Sequence, residues 1–296
     1  MKCKICDSKN IKTIYNAPIR NGALGQYTSM NVEMYQCKEC GVIWHDPILN
    51  DIKDYYESPE YRESLEGTSD EDDFYRLHDS ESMDKFKYTG TTIFRNKTVL
   101  DLGCGCGAFL DFVNGVAKEV VAVEPSEIYR KVMERKGFRT FPYAEDALEK
   151  YRNAIDVIVS FDVIEHVEDP EKFLYDVFWL LARGGQAIIG TPTDAPLMRK
   201  LLGNIYEKKQ LFSVQHLWIL SEKNIRLMSE RIGFLECSFQ YFQRYGIGNL
   251  CGWLREKDTR STIQMPLFEG ILDNVYKSDI EEKGLADYIV FYGRKE

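Results

Sequence analysis

A short stretch of alternating glycines constrains the fold of this chain more than any other feature. The apolar run Val99–Leu102 leads into three glycines within Gly103–Gly107, and a second apolar run, Val120–Val123, ends in Glu124. A strand that enters a glycine-rich turn, followed by a strand that ends in an acid, is typical of a sheet edge where a nucleoside binds. We therefore expect a doubly wound, Rossmann-like α/β fold.

Strand and helix patterns alternate from residue 98 to the end of the chain. The predicted strands are Thr98–Leu102, Glu119–Val123, Arg139–Phe141, Ile155–Phe161, Gln186–Gly190, Leu235–Phe242 and Tyr288–Tyr292. Predicted helices begin at Ala108, Ser126, Pro170 and Ser221, with Ser126 and Ser221 as N-caps. This alternation predicts a seven-stranded, mostly parallel sheet. The long connection between the last two strands indicates an insertion near residues 246–284, and whether it covers substrate or builds a homodimer stays open.

Two C-x-x-C pairs predict a small metal-binding module over residues 1–50. Cys3 and Cys6 form the first pair, and Cys37 and Cys40 form the second, 30 residues later. Two such knuckles present four thiolates to one tetrahedral ion, and a site with four thiolates has no open position for catalysis. We expect a structural zinc in a zinc-ribbon-like module. Iron in a rubredoxin-like site is an alternative metal, and His45 is an alternative ligand.

The charge of the chain is concentrated in one segment. The formal net charge is −9, and residues 51–85 alone contain 13 acidic and 4 basic residues. Because no basic excess remains elsewhere, nucleic acid is a disfavoured partner. Aromatic residues lie among the acids at Tyr55–Tyr56, Tyr61 and Phe74–Tyr75. We predict an acidic linker or helical lid over residues 51–90 that docks on a domain spanning residues 91–296, or covers its ligand.

The amino terminus lacks the apolar core of a signal peptide, and no run of 18 apolar residues could span a bilayer. A cytoplasmic protein without a membrane partner is therefore expected.

The glycine loop alone does not identify its ligand. The pattern Gly103-x-Gly105-x-x-Ala108, with Glu124 following, also satisfies a relaxed fingerprint of nicotinamide or flavin dinucleotide sites. Asp101 lies two residues before the first glycine, where its carboxylate suits a cation better than a pyrophosphate. This acid favours a cationic nucleoside ligand.

Several motifs together resemble the class I S-adenosylmethionine-dependent methyltransferases over roughly residues 85–296. They are V-L-D-L-G-C-G-C-G, V-V-A-V-E, F-D-V-I-E-H-V-E-D-P and the glycine pair that precedes I-I-G-T-P. The amino-terminal Cys-x-x-Cys-Gly, followed by Asp46-Pro47 and Tyr55-Tyr56, is similar to the zinc-binding leader of bacterial methyltransferases that act on sugars or polysaccharide precursors.

The resemblance implies a cofactor, S-adenosyl-L-methionine, and residues that hold it. Asp101 and the glycine loop would bind the methionine moiety, Glu124 the ribose hydroxyls, and an acid after the third strand the adenine amino group. The expected cofactor-binding residues are Asp101, Gly103, Cys104, Gly105, Gly107, Glu124, Pro125, Glu145, Asp146, Phe161 and Asp162.

We predict methyl transfer to a hydroxyl of a sugar, nucleotide sugar or surface-polysaccharide precursor. His166 and His216 are the candidate catalytic bases, because a hydroxyl acceptor must lose a proton and imidazole titrates near neutral pH. Alternatives are C-methylation of a keto sugar, a NAD(P)-dependent oxidoreductase, a non-catalytic adaptor, and a methyltransferase acting on RNA or protein.

Overall fold

The computed structural model describes residues 1–22, 24–48, 52–58, 71–268 and 270–296, with the backbone alone for Ile52 and Lys53. The strands are β1 Ile11–Ala17, β2 Val32–Cys37, β3 Ile43–Trp44, β4 Thr98–Leu102, β5 Glu119–Val123, β6 Arg139–Phe141, β7 Ile155–Phe161, β8 Leu181–Pro192, β9 Trp218–Ile219, β10 Glu236–Phe242 and β11 Tyr288–Arg294. Tyr61, which we expected in the acidic lid, lies outside the described residues.

The helices connect these strands in the expected alternation. They are α1 Ile52–Glu57, α2 Glu71–Thr89, α3 Ala108–Asn114, α4 Glu127–Arg135, α5 Ala144–Tyr151, α6 Pro170–Leu180, α7 Pro196–Leu202, α8 Glu222–Ile232, α9 Ile247–Glu256 and α10 Ile271–Glu282. Shorter helical turns cover Thr92–Phe94, Asn204–Tyr206 and Pro266–Phe268, and a π-helix covers Glu207–Leu211. Among the described residues, no helix is both long and apolar enough to cross a membrane.

Within the described residues, seven strands form one sheet in the order β10-β11-β8-β7-β4-β5-β6. The pairs β4–β5, β4–β7, β5–β6 and β7–β8 are parallel. Leu102 pairs with both Val123 and Ser160, so β4, β5 and β7 end at the same edge of the sheet. The predicted Rossmann-like α/β fold with a seven-stranded sheet is confirmed.

Local sequence explains the central strands and their helices. Every residue of β4 is buried, as expected for a parallel strand covered on both faces. Helix α6 begins where Asp169 Oδ1 accepts hydrogen bonds from the backbone N–H groups of Glu171 and Lys172, at 3.0 and 2.9 Å. Pro170 at its first position has no N–H to satisfy.

Two local predictions need correction. Strand β8 begins at Leu181 rather than Gln186, because the glycine pair Gly184–Gly185 before the predicted strand is an irregularity inside the observed strand. A Cβ atom on Gly185 would lie 2.9 Å from two backbone carbonyl oxygens, which explains a glycine there. Ser126 occupies the N-cap position of α4, but its side chain makes no capping hydrogen bond.

The chain divides into two compact units. The first unit comprises Met1–Ile48, Thr191–Leu227 and Phe239–Val290. Its sheet has the order β1-β2-β3-β9, with antiparallel pairing, so a strand from residues 218–219 joins strands from the first 50 residues. The two-residue strand β9 was not predicted, since it is too short to show a periodic pattern.

The second unit comprises the described residues of 49–190, together with Met228–Ser238 and Phe291–Glu296. It contains the glycine loop and helices α1 to α6. The predicted boundaries of a 1–50 module, a 51–90 linker and a 91–296 domain stay a prediction.

Candidate functional site

The glycine loop follows β4 and has the backbone conformation that only glycine adopts easily. The φ angles of Gly103, Gly105 and Gly107 are 78°, 56° and 81°. A Cβ atom on Gly103 would lie 2.3 Å from Val163 Cγ2, and one on Gly105 would lie 2.4 Å from Phe74 Cζ. The loop therefore permits two close approaches that a larger residue would prevent.

The backbone N–H groups of this loop donate within the protein. Those of Gly103 and Cys104 donate to the Val123 carbonyl oxygen at 2.8 and 3.3 Å. The Gly105 N–H donates to Glu124 Oε2 at 3.0 Å. The Gly107 N–H donates to the Cys104 carbonyl oxygen at 2.9 Å. In a phosphate-binding loop, such N–H groups point at the phosphate. The four donors here are instead occupied by acceptors within the protein.

Glu124 is held at the end of β5 by two backbone groups. Besides the bond from Gly105, its Oε1 accepts a hydrogen bond from the Ser126 N–H at 2.9 Å. The side chain is buried. Each carboxylate oxygen has a second lone pair, so the residue can accept further hydrogen bonds from a ribose diol.

Asp101 supplies a buried negative charge in β4, two residues before the first glycine. Burial raises the pKa of its carboxyl group to about 6, the nearby Lys85 ammonium lowers that pKa, and Glu124 raises it. A bound cation would favour the ionised form. The residues present thus fit a ligand that combines a ribose with a positive charge.

Helix α2 packs on the glycine loop through aromatic residues of the acidic segment. Phe74 is buried against Cys106, Ala108 and Val132. The Tyr75 hydroxyl donates to the Cys106 carbonyl oxygen at 2.8 Å. The helix therefore closes one side of the loop with apolar contacts.

Phe161 and Asp162 lie where β7 ends. The Phe161 ring is 5.7 Å from the Tyr88 ring, and Lys85 Nζ is 5.4 Å from its centre. Asp162 has a φ of 57°, which is strained for a residue with a side chain. Its N–H donates to the Gly190 carbonyl oxygen at 3.0 Å, and this bond holds the turn.

The remaining candidate cofactor residues differ in their surroundings. Pro125 is half-buried, whereas Glu145 and Asp146 are exposed in the first turn of α5. Asp146 Oδ2 accepts a hydrogen bond from the Tyr143 N–H at 3.1 Å. Burial raises the pKa of the Cys104 thiol well above its usual range, so this cysteine is an uncharged loop residue at neutral pH.

His166 lies between a phenol and a carboxylate. Its Nδ1 is 2.7 Å from the Tyr56 hydroxyl, and its Nε2 is 3.7 Å from Glu165 Oε1. Glu165 is buried. Sequence reasoning singled out His166 but not Tyr56 or Glu165. The pair Tyr55–Tyr56 was the available signal, although nothing in the sequence shows which residue its hydroxyl contacts.

The four predicted metal ligands lie together. The ligand atoms of Cys3, Cys6, Cys37 and Cys40 are all within 4.8 Å of one another. The Cys3–Cys40 and Cys6–Cys37 sulfur distances are 3.6 and 3.5 Å. Tetrahedral zinc with bonds of about 2.3 Å requires sulfur atoms about 3.8 Å apart, so the cluster fits that ion closely.

The backbone around Cys37 favours its thiolate form. Burial opposes its ionisation, but the backbone N–H groups of Cys40 and Glu39 point at the sulfur, and together these effects bring the pKa of Cys37 to about 7. His45 is not directed at the cluster, because its ring nitrogens face the carbonyl oxygens of Asp46 and Ser213. The alternative in which His45 replaces a cysteine therefore has no support in this geometry.

His216, the second candidate base, lies in the first unit. It is half-buried, and its N–H donates to the Ser213 carbonyl oxygen at 3.1 Å. The residue therefore closes a short turn between the π-helix and β9.

Comparison with known proteins identifies the domain. A family model described as a methyltransferase domain matches residues 74–235. Two solved structures share the fold at 19% sequence identity, both S-adenosylmethionine-dependent methyltransferases. The one from Thermotoga maritima has a TM-score of 0.51, with 76% of this chain and 94% of that chain covered. The one from Archaeoglobus fulgidus also has a TM-score of 0.51, with 80% and 98% covered.

Two curated relatives match shorter regions. A ubiquinone biosynthesis O-methyltransferase of Caulobacter sp. (strain K31) is 34% identical over 110 residues, which cover 34% of this chain and 43% of that protein. A tRNA U34 carboxymethyltransferase of Colwellia psychrerythraea is 29% identical over 149 residues, which cover 47% and 44%. The chain thus spans less than half the length of these two relatives.

Proposed function

This chain belongs to the methyltransferase-domain family, and from that membership we propose that it transfers the methyl group of S-adenosylmethionine to a small polar acceptor. The favoured acceptor atom is a hydroxyl oxygen of a sugar, nucleotide sugar or polysaccharide precursor.

The hydrogen bonds of the glycine-loop N–H groups are the main evidence for the choice of cofactor. A dinucleotide needs N–H groups directed at its pyrophosphate, whereas those of Gly103, Cys104, Gly105 and Gly107 donate within the protein. The buried carboxyl of Asp101 adds a charge that repels a pyrophosphate and attracts a cation. Both features favour an adenosyl sulfonium over NAD(P).

The bound cofactor would supply an electrophilic methyl group with a good leaving group. Asp101 would hold the positively charged methionine end, and Glu124 would accept hydrogen bonds from the ribose hydroxyls. Phe161 and helix α2 would exclude water from the same edge of the sheet. The protein's main contribution is then alignment of the acceptor with the methyl group.

A hydroxyl acceptor must also lose its proton. His166 can take a proton through the Tyr56 hydroxyl at 2.7 Å, and Glu165 would stabilise the resulting imidazolium. His216 is the second histidine that we propose on the acceptor side. C-methylation of a keto sugar would use the same groups to remove a proton from carbon.

The charge of the chain supports a small acceptor. A net charge of −9 without a basic excess disfavours RNA. The Caulobacter relative is named as an O-methyltransferase, which agrees with a hydroxyl acceptor. We also propose that the thiolates of Cys3, Cys6, Cys37 and Cys40 hold a structural zinc ion.

Ligand-induced stabilisation tests the cofactor. S-adenosylhomocysteine at about 100 times its Kd should stabilise the protein by about 2.7 kcal/mol, because it binds the folded state alone. NAD(H) and NADP(H) should not change the melting temperature. Stabilisation by a dinucleotide without any effect of S-adenosylhomocysteine would overturn the proposal.

Methyl transfer from ¹³C-methyl-labelled cofactor to a panel of sugars and nucleotide sugars tests the acceptor. The carbon shift of the product separates O-methylation from C-methylation. Absence of a labelled sugar, together with labelling of RNA or protein, would contradict the acceptor class.

The substitutions Tyr56→Phe and His216→Ala test the proton path. Each should lower kcat by about 10-fold or more, with unchanged affinity for S-adenosylhomocysteine, because the groups act on the acceptor. Unchanged turnover in a variant would remove that residue from the proton path. Tyr55→Phe is the matched control for Tyr56.

A further inference from the structure

His45 is a buried histidine that neither the metal cluster nor the proposed chemistry uses. It follows β3, and 2% of its surface is exposed. Its Nδ1 is 2.7 Å from the Asp46 carbonyl oxygen, and its Nε2 is 3.2 Å from the Ser213 carbonyl oxygen. The ring also has a hydrogen-bonding interaction with the backbone of His216. One imidazole therefore contacts both ends of the turn Ser213–His216.

The residues around this turn are held by the same amino-terminal strands. The Arg20 N–H donates to the Phe212 carbonyl oxygen at 3.1 Å. The Arg20 carbonyl oxygen accepts a hydrogen bond from the Val214 N–H at 2.9 Å. On the other side of His216, Trp218 pairs with Trp44 across β3 and β9. The backbone is thus fixed before and after His216, and His45 lies between these two attachments.

The chemistry of His45 suits this position. Burial lowers its pKa, although the surrounding carbonyl groups raise it. A neutral imidazole has one N–H, so the tautomer with its proton on Nε2 is the one that donates to the Ser213 carbonyl oxygen of the turn. An apolar side chain of similar size would fill the space but would not fix the turn by a hydrogen bond.

We propose that His45 is a positioning residue that fixes the turn Ser213–His216 and thereby sets the orientation and environment of the His216 imidazole. The inference rests on the proposed function, in which His216 acts on the acceptor side. It gives the amino-terminal strands a role in the geometry of the acceptor residues in addition to holding the metal cluster.

Histidine NMR on the full-length protein tests the proposal. The chain has four histidines, so their Cε1–H signals can be assigned by single substitutions. The variants His45→Gln and His45→Met are nearly equal in size, and the Gln variant alone keeps an N–H donor. His78 is an internal control, since its Nδ1 lies 2.9 Å from Glu81 in the second unit.

We expect the titration midpoint of His216 to shift by about 0.3 pH unit or more in His45→Met and to return toward the wild-type value in His45→Gln, with His78 unchanged in both. The kcat for methyl transfer should fall about 10-fold in the Met variant, with recovery in the Gln variant and S-adenosylhomocysteine affinity within twofold of wild type.

Two results would overturn the proposal. One is a folded His45→Met variant in which the His216 midpoint does not move. The other is loss of the dispersed folded spectrum in His45→Met but not in His45→Gln, which would make His45 a determinant of stability alone. Failure of wild-type methyl transfer would contradict the proposed function. The NMR result would still test the positioning role of His45, because it does not depend on turnover.

Discussion

Two carboxyl groups at one sheet edge have different environments. Glu124 accepts two backbone hydrogen bonds, and such bonds stabilise a carboxylate. Asp101 is buried beside it, and burial raises its pKa. The two acids are therefore suited to different tasks, one to neutral hydroxyl donors and the other to a cation.

Replacement of Glu124 should weaken cofactor binding. In Glu124→Ala, the Gly105 and Ser126 N–H groups lose their acceptor and the ribose loses its partner. We expect S-adenosylhomocysteine affinity to fall at least 10-fold, which corresponds to about 1.4 kcal/mol, in isothermal titration calorimetry. Glu127→Ala, three residues on at an exposed position, is the control. Near-normal affinity in Glu124→Ala would show that another residue binds the ribose.

Cofactor affinity should depend on pH through Asp101. Its folded-state pKa of about 6 lies above the ordinary value of 3.8, so its protonated form contributes stability below pH 3.8 that is lost as the pH rises through 6. A cationic ligand requires the ionised form. S-adenosylmethionine should therefore bind more weakly as the pH falls from 7.5 to 5, and Asp101→Asn should bind weakly with little pH dependence. A pH-independent affinity in the wild type would contradict this role.

At the scale of elements, the glycine loop and helix α2 depend on each other. Gly105 allows Phe74 to approach the backbone, and Tyr75 binds the loop carbonyl of Cys106. The glycine loop could be predicted from the sequence because its glycines lie within a few residues of one another. The aromatic residues of the acidic segment indicated a linker or lid over residues 51–90, but its contact with the glycine loop is set by tertiary packing.

The substitution Gly105→Ala should destabilise this contact. The residue has a φ of 56°, and a Cβ atom would lie 2.4 Å from Phe74 Cζ. We expect a loss of about 1–3 kcal/mol in the free energy of unfolding and weaker cofactor binding. Gly115→Ala is the matched control, because that glycine has a φ of −67° and nothing lies within 4 Å of its Cβ position. Equal stability of the two variants would refute the packing argument.

At the scale of the whole molecule, the sheet of the amino-terminal strands includes a strand from outside the first 50 residues. Strand β9 completes their sheet, and Asn224 Nδ2 donates to the Cys40 carbonyl oxygen at 2.8 Å. The segment from Trp218 to Asn224 is therefore attached to the cysteine cluster. Loss of the metal should disturb this segment as well as the cluster.

Substitution of one cysteine tests the metal and this coupling. Cys37→Ser should lose stoichiometric zinc, measured by atomic emission, and should lower the free energy of unfolding by several kcal/mol. Hydrogen exchange should rise in residues 213–224, whereas S-adenosylhomocysteine affinity should stay near that of wild type. Cys251→Ser, outside the cluster, is the control. Zinc retained at one ion per chain in Cys37→Ser would contradict the four-thiolate site.

The sequence by itself determined the alternation of strands and helices, the glycine loop with Asp101 and Glu124, and the two cysteine pairs. These features are local, because the hydrophobic period, the glycine spacing and the spacing of the metal ligands are each contained within a few tens of residues. Only the tertiary structure decided that Tyr56 meets His166 across 110 positions, and that His45 contacts a turn 168 positions away. Such partners depend on long-range packing, which no local pattern encodes.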